Sequence, residues 1–94
     1  MKMSFLNDTT IKITHDGDKF IVDYYDGYAD VTKYHKKDLI GIWKVYNDGR
    51  YALLKKTGDT DPVLDGYVKF GTIANLNDPR VKNAIRNARK GLKK

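Results

Sequence analysis

The chain has no cysteine, no glutamate and no glutamine, a single serine and two prolines among its 94 residues. Without cysteine there are no disulfides and no thiolate zinc sites, which suits a reducing compartment. Ser4 is the one serine, and it falls in an N-terminus expected to be loose, so a serine nucleophile is not expected. No stretch approaches the roughly 20 apolar residues of a membrane span. The opening MKMSFLNDTTIK contains Met3, Phe5 and Leu6 but no continuous apolar segment of signal-peptide type. A cytoplasmic protein without membrane contact is the expectation.

All 12 acidic residues are therefore aspartate. Aspartate competes with helical backbone and favours caps and turns, whereas glutamate and glutamine tolerate helix interiors. A chain restricted to aspartate should be built mainly of strands and turns. Asp-Gly occurs at 16–17, 26–27, 48–49 and 65–66, a dipeptide suited to tight turns between antiparallel strands. Between these pairs lie β-branched and aromatic stretches of strand length: 10–15, 19–25, 28–34, 40–46, 50–56 and 66–73. In YNDGRY, Asn47 and Asp48 suit a type I turn with Gly49 at the left-handed position of a bulge. Alternation puts Phe20, Val22 and Tyr24 on one strand face and Ile21, Asp23 and Tyr25 on the other. Trp43 is expected in the core or at its edge. The segment TKYHKKDL (32–39) reads as a loop or short helical turn, TGDTDP (57–62) as a turn-rich loop, and residues 1–8 as a loose N-terminus.

One helix is expected, over residues 78–91. Asp78 is a good N-cap and Pro79 fits the first helical position. Val81, Ala84, Ile85, Ala88 and Leu92 form an apolar stripe, and Gly91 is placed to end the helix. The fold class follows as α+β: a single domain with a bent antiparallel sheet, or small SH3-like or OB-like barrel, of about six short strands and a C-terminal amphipathic helix. The β-rich body should span 9–74, and residues 92–94 form a basic end.

The net charge is +6, and it resides entirely in the tail. Residues 1–78 hold 11 basic and 12 acidic side chains, while Arg80, Lys82, Arg86, Arg89, Lys90, Lys93 and Lys94 follow with no acid among them. Lys82, Arg86 and Lys90 repeat at i, i+4 and repel one another where opposite charges would attract. Arg80 and Lys82 also oppose the helix dipole. An anionic partner accounts for both features, and nucleic acid, DNA or RNA, is the commonest repeating anion. These seven side chains are the candidate phosphate contacts, and Tyr25 and Tyr28 are candidates for stacking on bases. The competing expectation is a small protein-binding modulator, such as a phage-type inhibitor of a host protein, whose basic tail meets an acidic protein surface.

Catalysis and metal binding find little support. His15 and His35 are the two histidines, both in polar, turn-like surroundings without an evident partner or pocket. Asp59, Asp61 and Asp65-Gly66 glance at calcium, but Val63 stands at the third ligand position and no Glu closes the loop. No catalytic residue, metal ligand or cofactor is assigned.

Overall fold

A computed structural model describes residues 2–68 and 79–91, apart from the Tyr67 side chain. Six strands follow one another: β1 (Lys2–Asn7), β2 (Thr10–His15), β3 (Asp18–Tyr25), β4 (Tyr28–His35), β5 (Asp38–Tyr46) and β6 (Tyr51–Lys56). Each pairs antiparallel with its sequence neighbour, so the sheet is an uninterrupted meander, β1-β2-β3-β4-β5-β6. A single 3-10 turn (Gly66–Val68) and one helix, α1 (Pro79–Arg89), complete the described fold. The class is α+β.

Short connections set the registers. At the β2–β3 tip, Asp16 and Gly17 both have positive φ, +50° and +84°, as a two-residue type I′ hairpin requires. At the β5–β6 tip, the Gly49 N–H donates to the Tyr46 carbonyl at 3.0 Å and Gly49 sits at φ +95°, the expected type I turn with a glycine bulge. The Arg50 backbone N–H donates to Asp48 Oδ1 at 3.0 Å. That bond, reinforced by the Arg50 guanidinium, holds the Asp48 carboxyl below its ordinary value. Adjacent tips are also tied together: the Lys36 N–H donates to the Gly17 carbonyl and the Asn47 N–H to that of Gly27.

Alternation divides the sheet into two faces. The inner face carries Ile11 and Ile13 from β2, Phe20, Val22 and Tyr24 from β3, and Trp43 and Val45 from β5, all buried. Val81, Ala84 and Ala88 of α1 join them in one core, with Leu64 and Val68 from the segment that follows β6. The outer face carries half-exposed side chains, Ile21, Asp23 and Tyr25 among them.

Of the two forms expected for the sheet, the open one holds and the barrel does not, because the strand order is linear and β1 and β6 are its two ends. Helix α1, Leu64 and Val68 cover the inner face and supply burial that an opposing wall of strands would otherwise provide. Three expectations need correction. Residues 2–7 are not loose: Met3 pairs with Ile13 and Phe5 with Ile11, both packing against the core. Alternate apolar residues beside an unpaired β2 edge suffice to make that strand. Residues 32–39 are neither loop nor helical turn. They continue β4, turn at 36–37 and enter β5. Lys33 tolerates its strand position because its Nζ lies 3.0 Å from Asp65 Oδ2 and 3.9 Å from Asp18 Oδ2. Finally, the strand expected at 66–73 begins as the 3-10 turn instead, and its residues 69–73 lie outside the described ones.

Candidate nucleic-acid interface

Helix α1 forms where the apolar spacing places it. Val81, Ala84 and Ala88 are buried and Ile85 is half-buried against the core. Eleven residues make a marginal helix alone, so docking on β3 is what holds it. Asn87 Nδ2 adds a hydrogen bond to the Asp8 carbonyl in the β1–β2 turn, 3.2 Å long. The capping residue expected at Asp78 and the stripe residue Leu92 lie outside the described residues.

Docking fixes what faces water. Arg80, Lys82, Arg86, Arg89 and Lys90 are all exposed, and the helix contains no acid. The structure thus exposes five of the seven basic residues expected to act jointly, four on α1 and Lys90 just past its end, with Arg80 turned to the β1 flank beside Phe5, Asn83 and Asn87. Lys93 and Lys94 lie outside the described residues. Two of the five are partly steadied. The Arg80 guanidinium sits 4.9 Å above the Phe5 ring centroid, and Arg86 Nη1 donates to Asn83 Oδ1 at 3.0 Å. A shallow groove of about 430 Å³ runs between β1 and the start of α1, with Phe5, Asn7, Arg80 and Asn83 in its walls.

The two candidate stacking residues also come together, but elsewhere. Tyr25 and Tyr28 are cross-strand partners, their rings parallel within 6° and 4.9 Å apart. They lie on the outer face, with the sheet between them and α1. Basic helix and tyrosines therefore cannot act on one nucleotide together.

Sequence reasoning missed the rest of this tyrosine row. Tyr46 pairs with Tyr28 across β4 and β5, with ring centroids 6.4 Å apart. Lys44 Nζ stands 4.3 Å from the Tyr28 centroid and 5.3 Å from that of Tyr46, and the Arg50 guanidinium lies 5.0 Å from the latter. Farther along the face, Lys19 Nζ is 4.7 Å above Tyr34. The signal was partial. The Asp26-Gly27 turn sets Tyr25 opposite Tyr28, but counting outward from the 36–37 turn would set Tyr28 opposite Val45, and only the bulge in β5 beside Lys33 and Tyr34 brings Tyr46 into line.

The histidines do have carboxylate neighbours. His35 Nδ1 lies 2.7 Å from Asp18 Oδ1, and His15 Nε2 lies 3.2 Å from Asp16 Oδ2. Both rings are substantially exposed at the hairpin tips, where His15, Lys2 and Lys19 border a shallow depression of about 540 Å³. In the loop after β6 the aspartates point to lysines and do not converge. Asp61 Oδ1 accepts from Lys56 Nζ at 2.6 Å, and Asp65 accepts from Lys33. Among the described residues no helix is long and apolar enough to cross a membrane.

No protein family, curated protein or solved structure matches the chain.

Proposed function

We propose that the protein is a non-catalytic nucleic-acid-binding module that grips phosphates with the exposed side of α1. One observation carries the reading: a docked helix and the residue that follows it, Lys90, turn five basic side chains to solvent with no acid among them. Docking fixes the backbone on which the cations stand, so binding has to order only their side chains and not the helix itself. Arginine adds a planar fork for phosphate oxygens, and lysine a point charge. The grip is electrostatic, so contact with the backbone dominates and sequence matters little.

Titrating a short DNA duplex between 50 and 300 mM salt tests this. With about four to six phosphate contacts, log K should fall against log salt with a slope of about −4 to −5. Replacing Arg86, Arg89 and Lys90 with Gln should flatten that slope by about 2 to 3 and weaken all sequences alike. Absence of salt-sensitive binding even near 50 mM overturns the proposal.

A second reading, a small protein-binding modulator such as a phage-type inhibitor of a host protein, draws on β6. It is a terminal strand of the sheet, with Tyr51 and Leu54 about half exposed, and Val63 lies exposed in the segment after it. An exposed apolar edge is where another chain adds a strand. Co-purification of a nuclease-resistant protein partner, kept by the triple Gln variant, would favour it.

A further inference from the structure

We infer that the outer face of the sheet is a second contact surface, one for unpaired nucleotides. The inference shares with the proposed function only the class of ligand, since it uses other residues on the opposite side of the sheet.

Three features of that face converge. The first is the row Tyr25–Tyr28–Tyr46, which crosses β3, β4 and β5 at one level, with the rings 4.9 and 6.4 Å apart in succession. Aromatic rings on a rigid sheet are platforms for bases whose faces are open, as in a single strand and not in a duplex. Tyr25 and Tyr28 already cover one face of each other and Lys44 lies over Tyr28, so a base joins this row by displacing the flexible Lys44 side chain. The second is the interleaving of cations with rings: Lys44 against Tyr28 and Tyr46, Arg50 against Tyr46, and Lys19 against Tyr34. A strand whose bases reach those rings brings its phosphates within range of the lysines, Arg50 being already paired with Asp48 Oδ2 at 2.8 Å.

The third is the sign of the face. Register places Lys2, Lys12, Lys19, Lys44 and Lys55 on it, against Asp23 and Asp30. Asp23 is already engaged, accepting from Thr10 Oγ1 at 3.0 Å and from the Tyr25 hydroxyl at 3.1 Å. Five lysines against two aspartates suit a polyanion. The same imbalance disfavours a second copy of this chain, because two such faces would set lysines against lysines. A single strand satisfies both the rings and the charge.

The test compares a twelve-nucleotide oligothymidylate with a twelve-base-pair duplex at 100 mM salt. Exchanging both Tyr28 and Tyr46 for Leu keeps strand-compatible bulk and removes the rings. Oligothymidylate affinity should fall by at least about tenfold while duplex affinity holds. The triple Gln variant of α1 should show the reverse pattern. Tyr51→Leu, on the inner side of β6, should change neither. Unchanged oligothymidylate affinity in a folded double variant overturns the inference, as does equal competition by poly-glutamate, which would leave charge alone. If the double variant fails to fold, the wild type decides. Photocrosslinking a bromodeoxyuridine 12-mer should label Tyr25, Tyr28 or Tyr46, and labelling confined to α1, or none, overturns the inference. Failure here with a salt-sensitive duplex titration leaves the helix reading standing. Failure there with tyrosine labelling leaves this one.

Discussion

Pro62 closes over Gly41. A methyl group on Gly41 would come within 2.7 Å of Pro62 Cγ and 3.0 Å of Trp43 Cη2. Neither neighbour can yield easily, one being a pyrrolidine ring and the other a buried indole. The missing side chain in β5 is therefore the seat on which the segment after β6 crosses the inner face.

Gly41→Ala should consequently destabilise the domain by about 1–3 kcal/mol through overpacking. Pairing it with Pro62→Ala should recover part of that loss, since the two positions touch and their effects will not add. Urea unfolding followed by Trp43 fluorescence gives all three values. Strict additivity would show that Pro62 is not the obstacle.

The stripe of α1 should be graded in its sensitivity. Val81 is buried, whereas Ile85 is only half-buried. Val81→Asp should cost about 3 kcal/mol or more, from lost burial and a buried charge, and Ile85→Asp about 1–2 kcal/mol. Equal costs at the two positions in thermal melts would contradict the packing of the helix.

Two turns should respond in opposite directions. Gly49, at φ +95°, should lose about 1–3 kcal/mol as Val, which resists positive φ. Lys36, at φ +56° without being glycine, stores strain that Lys36→Gly should release, raising stability by up to about 1 kcal/mol. Thermal melts of the two single variants suffice.

Burial pushes the Tyr24 hydroxyl far above its ordinary value of 10. The folded state therefore keeps a proton that the unfolded chain releases above pH 10. Stability from this group is intact below pH 10 and is lost as pH rises, at about 1.4 kcal/mol per unit. Tyr24→Phe removes the effect, so the variant should gain about 1.4 kcal/mol on the wild type between pH 9 and 11. Parallel pH profiles would show that Tyr24 ionises freely in the fold.

Most of the strand plan was readable because the turns announce themselves. Asp16-Gly17, Asp26-Gly27 and Asp48-Gly49 mark three of the hairpins, and strict alternation sorts Phe20, Val22 and Tyr24 from Ile21, Asp23 and Tyr25. The β4–β5 hairpin escaped because its tip is Lys36-Lys37, and because Lys33 and His35 lie toward the core side of β4. Only the tertiary partners Asp18 and Asp65 make those positions acceptable. The basic helix was legible from charge and periodicity alone. The tyrosine row was not, since Tyr46 lies far in sequence from Tyr25 and meets its row only once two registers are fixed.

The meander has a kinetic consequence. Every β pairing joins sequence neighbours, so the sheet can zip from hairpin to hairpin with short loop closures, quickly for a β-rich protein. Helix α1 differs, for it must return to β3 from the far end of the chain. The sheet should assemble first, and arrival of α1 should be the late event that seals it.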